Sequence, residues 1–374
     1  MNTERPHFPL AELSAAGVSV WLDDLSRELL AGGELASLVA DRHVVGVTTN
    51  PAVFASALSK GGRYDEQLRG LARSGTELDE AVFAITTTDA RTGCEVLRPV
   101  HDRTDGVDGR VSIEVDPRLA RDTDATVYQT HALWDEVGQP NLMVKIPATA
   151  EGLPAITATT AQGISVNVTL IFSLERYRQV INAFATGLEQ AWRSGRDLSA
   201  VHSVASFFVS RVDTEVDRRL DAIGGEDAFA LKGKAAVANA RLAHQIHEDF
   251  LAGSRWQRLA AAGARPQRPL WASTGVTDPS CPDTMYVTEL VVQGTVNTMS
   301  GNTLSAFAEH GAVTGDTVHG SYEAAREYFE TLRHLGVSYQ DVTETLEREG
   351  MAKFEASWDD LSRAVSLQLL ADVS

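Results

Sequence analysis

Short apolar runs alternate with longer amphipathic stretches along the whole chain. Eight of the runs have the composition of strands: VSVWLD (18–23), VVGVTT (44–49), VSIEVD (111–116), LMVKIP (142–147), ISVNVTLIF (164–172), VHSVASFFV (201–209), PLWAST (269–274) and TVNTM (295–299). They are rich in Val, Ile, Thr and Trp, side chains that fit a pleated surface. Most are continuous rather than alternating, the pattern of parallel strands covered by helices. Between them the period lengthens to that of a helix. Residues 117–137 set Val127, His131 and Trp134 on one face, residues 215–253 contain a long helix starting after Gly225, and the tail from Ser321 to Leu370 reads as helical. Repeated βα units without Gly/Ser-rich linkers predict an α/β fold. The expectation is a single (β/α)8 TIM barrel over residues 1–374, with an N-terminal helix, extra helices in the longer gaps, and C-terminal helices that cap or cross the barrel.

Composition narrows the function classes. The chain has 374 residues, 43% hydrophobic and 22% charged, enough for a large core. A net charge of −18 argues against nucleic acid or an anionic membrane as partner, while leaving room for a local basic pocket. Cys94 and Cys281 form no metal-type spacing and suit a reducing cytoplasm. The start MNTERPHFPLAEL lacks the basic-then-apolar order of a signal peptide, and no run approaches a transmembrane length. A cytoplasmic protein is expected. Of the histidines, His244 and His247 in HQIHEDF are the closest pair. On a helix they would share a face, with Glu248 as a possible third metal ligand. No cysteine or further histidine lies nearby in sequence, so an ordinary helix-surface pair is the preferred reading and no metal is expected.

In a (β/α)8 barrel the chemistry collects at the C-terminal ends of the strands. Those ends carry Asp23, Asn50, Glu114, Lys145, Asn167 with Thr169, Ser206 and Ser273, among apolar neighbours. Burying such groups unpaired costs on the order of several kcal/mol per charge, so a purely structural barrel has no reason to gather them. Lys145 stands in the apolar run NLMVKIPAT. Burial penalises its charged form and should lower its pKa, leaving a neutral amine able to attack a ketone and form a Schiff base. The competing reading is a lysine whose stem crosses apolar surface while its head reaches water or a carboxylate. The surrounding polar set favours the first.

Five segments carry a family resemblance: GVTTNPAVF (46–54), NLMVKIPATAEGLPAI (141–156), SVNVTLIFSLERY (165–177), VASFFVSRVD (204–213) and LWASTGVTDP (270–279). In this order they resemble transaldolase, in its longer bacterial form, from Val20 to the C-terminal helices. The resemblance implies a (β/α)8 barrel and a class I (Schiff-base) mechanism without metal or organic cofactor. It implies transfer of a dihydroxyacetone unit between sugar phosphates of the pentose phosphate pathway. A monomer or homodimer is expected, the helical tail around Trp358 permitting a dimer.

Matched residue by residue, the resemblance makes Lys145 the Schiff-base lysine and Asp23 the base for the C4 hydroxyl proton. Glu114 with Thr169 would hold a proton-shuttling water. Asn50 and Asn167 would bind the donor's C1 and C3 hydroxyls, and Ser206 would contact the donor too. Arg211 would bind phosphate, and Ser273, with Thr274 and backbone N–H groups, could serve where the family's seventh-strand lysine is missing. Phe208 stands where related aldolases carry tyrosine, which favours transfer over free release. Each has a plainer alternative: a helix cap for Asp23, an ion pair for Glu114, a turn for Asn50, packing for Ser206, a surface salt bridge for Arg211. Asp24 or Ser26 could cap a following helix instead of Asp23, and Asp116 before Pro117 is a helix-start residue. Two places depart from the family pattern. Thr277 and Asp278 replace the KN of STGVKNP, and Ser300 replaces the proline of NTMP. They leave open a different acceptor or a weaker phosphate grip. The rivals are a fructose 6-phosphate aldolase, a transferase of specialised sugar biosynthesis, and a non-catalytic sugar-phosphate binder.

Overall fold

The computed structural model describes residues 8–60 and 62–371; residues 1–7 of the MNTERPHFPLAEL stretch and the last residues of the tail fall outside them. The strands are β1 (Ser19–Leu22), β2 (Val44–Thr48), β3 (Arg110–Glu114), β4 (Leu142–Pro147), β5 (Val166–Ile171), β6 (Ser203–Phe208), β7 (Gln267–Ala272) and β8 (Val296–Met299). They pair in chain order, all parallel, and β8 closes on β1. This is the (β/α)8 barrel that the alternation predicts. Where strand ends differ from the pattern, local chemistry explains it. β7 stops at Ala272 because Ser273 adopts a φ of 57°, outside the extended region. β3 gives way to a 3-10 turn at Pro117–Leu119, capped by Asp116, whose side chain accepts the Arg118 N–H at 2.9 Å.

Inward-facing Trp21, Met143, Val204, Leu270 and Val296 fill the barrel interior with an apolar layer. Trp21 requires Gly46 opposite it, since a Cβ there would lie 2.4 Å from the indole ring. The larger core lies between the outer faces of the strands and the helices. An N-terminal helix, Pro9–Ala15, packs on β1. Among the described residues no helix is long and apolar enough to cross a membrane.

The extra helices fall in the long gaps, but two differ from the pattern. The long helix before β7 runs from Ala235 to Ala252, starting later than predicted. A short turn, Glu226–Phe229, precedes it, and Gly233 breaks the path with a φ of 68°. Asp217 and Asp213, on the preceding helix Ser210–Ile223, accept the N–H groups of Gly233 at 3.0 Å and Ala236 at 2.8 Å. They satisfy donors that a helix start leaves open. In Thr123–Val137 the buried stripe is Thr126, Thr130, Leu133 and Val137, with Val127, His131 and Trp134 half-buried beside it. Thr130 turns its hydroxyl back to the Thr126 carbonyl at 2.8 Å, so threonine can serve on the core face and displace the apolar pattern by one residue.

The tail forms two helices, Tyr322–His334 and Tyr339–Ala371. The second lies across the C-terminal mouth of the barrel, packing on Pro51–Lys60, Asp65–Arg73 and Leu78–Arg103. Trp358, Leu361 and Val365 join Phe54, Leu58 and Ile85 in a separate apolar cluster that holds it there.

Asp213 is buried, accepts a second hydrogen bond from the Tyr286 hydroxyl at 2.8 Å, and burial pushes its carboxyl from 3.8 up to about 6. Between those values the folded chain keeps a proton that the unfolded chain has lost. The stability from this proton is present below the unfolded pKa and lost as pH rises through the folded one, an effect of up to roughly 3 kcal/mol. Asp213→Asn should flatten that part of the stability–pH profile measured by urea unfolding; an unaltered slope would contradict the assignment.

Candidate active site

The strand ends converge under the Tyr339–Ala371 helix on a cavity of about 280 Å3. The alternation of LMVKIP decides what enters it. Val144 and Ile146 face the helices, while Met143 and Lys145 face the barrel interior. Lys145 stands in register between Glu114 on β3 and Asn167 on β5. Its Nζ donates to Glu114 Oε1 at 2.8 Å and to the Thr49 carbonyl at 3.1 Å. Thr49 Oγ1 in turn donates to Glu114 Oε2 at 2.7 Å. The two charged side chains are only 11% and 4% exposed.

The electrostatics correct the expectation of a resting free amine. Burial is the strongest single influence on Lys145 and pulls its pKa down, but the Glu114 and Asp23 carboxylates together outweigh it, so the pKa ends above the ordinary value. Lys145 rests as an ammonium. Burial pushes Glu114 up, against the pull of Lys145. Glu114 is thus in direct contact with the lysine, its carboxylate accepting from the ammonium. Its ion pair is with Lys145 itself, so the plainer reading and the functional one describe the same contact.

Asp23 follows β1 into the cavity wall and accepts the Thr48 hydroxyl at 2.5 Å. The N-cap position of the next helix, Arg27–Ala31, falls on Ser26, so Asp23 is not its cap. Arg27 pairs with the buried Asp89 at 2.7 Å, and the Tyr64 hydroxyl donates to the same carboxylate at 2.8 Å, anchoring the loop that follows Asp23. Asn50 combines both readings of it: it lines the cavity, and its Oδ1 accepts the Ala52 N–H at 3.0 Å at the start of Pro51–Lys60.

Thr169, Ser206, Phe208, Arg211 and Ser273 also line the cavity. Asn167 does not. It lies two residues deeper than Thr169, in register with Lys145. Fully buried, it donates to Ser112 Oγ at 3.0 Å and accepts from Ser206 Oγ at 2.7 Å. Its carbonyl holds the Ser206 hydroxyl, which does line the cavity. Arg211 is half-buried, its guanidinium 5.0 Å from the Phe208 ring centre, and among the described residues no carboxylate pairs with it. Burial draws its pKa down, with Asp23 opposing. A guanidinium kept off the surface without an ion pair is a ready anion site. Leu170 and Ser273, both in the cavity wall, have φ of 59° and 57°, sparsely populated for such residues.

The departures from the family pattern lie outside the cavity wall. Thr277 and Asp278 are exposed, and Asp278 accepts the Ser280 N–H at 2.8 Å in a turn. Ser300 caps the helix Gly301–His310, accepting the Thr303 N–H at 3.3 Å. The residues missed from sequence are Thr48, Thr49 and the roof, where Gly350, Lys353, Phe354 and Ser357 complete the cavity. Gly350 was the available signal. A glycine inside a helix is unfavourable unless something approaches closely, and a Cβ there would lie 3.1 Å from the Phe172 ring. A larger hollow beside Tyr322–His334 is lined by Glu323–Arg326 and Glu330–Arg333 pairs already joined to each other.

Residues 20–365 match the model of the transaldolase/fructose-6-phosphate aldolase family. The chain belongs to this family. It is 63% identical to a transaldolase of Thermobifida fusca, over 97% of this chain and 99% of the relative. It is 62% identical to one of Acidothermus cellulolyticus (96% and 97% covered) and 60% identical to one of Parafrankia sp. (96% and 98% covered). Similarity of this order over nearly the whole length carries the transaldolase activity with it, and the transaldolase family typically works through a lysine Schiff base.

Thr49→Val removes the hydroxyl that holds Glu114 but keeps the carbonyl that holds Lys145. Turnover should drop about tenfold, the worth of one hydrogen bond to a charged group, with the fold retained. Steady-state kinetics with circular dichroism checks this; wild-type turnover would remove Thr49 from the site.

Proposed function

We propose that the chain transfers a dihydroxyacetone unit from sedoheptulose 7-phosphate to glyceraldehyde 3-phosphate, giving erythrose 4-phosphate and fructose 6-phosphate in the pentose phosphate pathway. The observation that carries this reading is the buried Lys145–Glu114 contact at 2.8 Å in the wall of a cavity shared with Asp23 and Arg211. Glu114 takes a proton from the Lys145 ammonium as the ketose arrives. The freed amine attacks C2, and Glu114 returns the proton to the departing hydroxyl as water leaves. Once Nζ is bonded to the sugar, Glu114 and Thr169 hold the water used later in hydrolysis. The cationic imine accepts the electrons of the C3–C4 bond while Asp23 takes the C4 hydroxyl proton, and the aldose phosphate departs. The three-carbon enamine then attacks the acceptor aldehyde, Asp23 returns its proton to the new hydroxyl, and water releases the ketose.

Asn50 has its carbonyl committed to the Ala52 N–H, so its NH2 group meets the donor's hydroxyls, with the Ser206 hydroxyl alongside. Arg211 and Ser273 take the phosphate, and the roof residue Lys353 supplies the second cation that Thr277 does not. Phe208 offers no proton where a phenol would, which supports transfer over release of free dihydroxyacetone. Specialised acceptor chemistry gains no support from Thr277, Asp278 and Ser300, which stand away from the cavity. The chain works as a single barrel domain whose site is complete within one chain, as a monomer or a homodimer. A cytoplasmic setting fits sugar phosphate substrates and the free Cys94 and Cys281.

Fructose 6-phosphate should be consumed rapidly only when an aldose phosphate acceptor is present. Asp23→Ala should slow that transfer by about 10^2–10^4, the typical worth of a general base. Equal rates of dihydroxyacetone release without acceptor would make the chain an aldolase, and an unimpaired Asp23→Ala would remove its base role. Lys353→Met should raise KM for fructose 6-phosphate roughly tenfold with kcat little changed. An unchanged KM would leave the phosphate to Arg211 alone.

A further inference from the structure

The histidines of HQIHEDF are not used by this chemistry, yet they lead to a second convergence of side chains. His244 and Glu248 stand four residues apart on the Ala235–Ala252 helix, on one face. His247, the neighbour favoured by sequence, does not join them: it lines a different hollow with Gly17 and Arg268. The third member comes from far along the chain. His319, in the loop before Tyr322–His334, brings its Nε2 to 2.6 Å from Glu248 Oε1. His244 Nδ1 lies 3.7 Å from Glu248 Oε2, and the two imidazoles meet edge to face with centroids 5.4 Å apart. One nitrogen or oxygen of each side chain lies within 4.8 Å of the others.

We propose that His244, Glu248 and His319 form a structural binding site for a zinc-class divalent cation, with the Tyr322 phenol or a water as fourth ligand. Two imidazoles and a carboxylate are a ligand set that zinc accepts. Ligand atoms at about 2.0–2.1 Å from a tetrahedral zinc stand roughly 3.3 Å from each other; the two separations to Glu248, 2.6 and 3.7 Å, lie within an ångström of that, and no pair is more than 4.8 Å apart. The Tyr322 oxygen lies 2.5 Å from Glu248 Oε2 and 3.0 Å from His244 Nδ1, within the same small volume. The supporting shell is present too. Asp316 Oδ2 sits 2.5 Å from His319 Nδ1, the carboxylate–histidine arrangement that fixes a ligand's free nitrogen toward a metal. Asp316 is itself held by the N–H groups of Val318 and His319, each at 2.9 Å. None of these residues lines the cavity around Lys145. A cation here clips the His319 loop and the helix that follows it to the Ala235–Ala252 helix, and takes no part in transfer.

The test uses full-length, untagged protein, stripped with a chelator, incubated with excess zinc chloride and desalted. Metal content is measured by plasma mass spectrometry and unfolding by a thermal melt. The expected result is one zinc per chain and a raised Tm. His319→Ala and Glu248→Gln should lose both effects while transaldolase turnover stays at the wild-type level. Cobalt(II) titration of the wild type provides a check independent of the variants' folding, because its visible bands report tetrahedral nitrogen and oxygen ligation. Zinc no higher than in His319→Ala, or the absence of those cobalt bands, would overturn the proposal and leave a hydrogen-bonded clasp.

Discussion

The mouth of the barrel depends on one buried ion pair. Lys145 and Glu114 sit where neither charge would be tolerated alone, because removing one partner of such a pair typically costs about 3–5 kcal/mol. The pair persists because its spare hydrogen-bonding capacity is met by one residue, Thr49, through both its carbonyl and its hydroxyl. The geometry also makes the pair reactive. Burial works against both charges, so moving the proton from nitrogen to oxygen removes two buried ions in one step. Asp23, close enough to hold the lysine's charge in place, keeps the balance on the ionic side until a substrate arrives.

The remaining architecture serves that balance. Beside the pair, Ser112, Asn167 and Ser206 form a buried polar chain across β3, β5 and β6, and beneath it the Trp21 layer seals the barrel. Above it, the Tyr339–Ala371 helix shields the cavity, lowered onto Phe172 by the missing side chain of Gly350. Left-handed backbone at Leu170 and Ser273 bends the ends of β5 and β7 where the wall must turn. Cation character is concentrated at the opening, with Arg211 and Lys353, in a chain of net charge −18. An anionic group would thereby be held away from the buried carboxylates.

Much of this was legible in the sequence, for a physical reason. Parallel strands covered on both faces leave uninterrupted apolar runs, so a polar residue within one is conspicuous, and Lys145 and Glu114 stood out that way. The hydrogen bonds of Asn167 to Ser112 and Ser206 were hidden because a sequence records which face a residue takes but not which polar neighbours it meets there. The protonation of Lys145 could not be read from burial alone, since it turns on a carboxylate one strand away. The roof was hidden because Lys353 and Phe354 belong to a helix whose position is set by contacts distant in sequence. His319 was hidden for the same reason, leaving His247 as the only apparent neighbour of His244. The late start of the Ala235–Ala252 helix depended on Asp213 and Asp217, side chains of another helix.

The central claim is that Lys145 forms the covalent intermediate. The most direct measurement is borohydride reduction in the presence of fructose 6-phosphate, followed by peptide mass mapping. The account predicts a single stable adduct on Lys145 carrying a three-carbon, dihydroxyacetone-derived mass. An adduct on another lysine, or none under conditions of turnover, would contradict it.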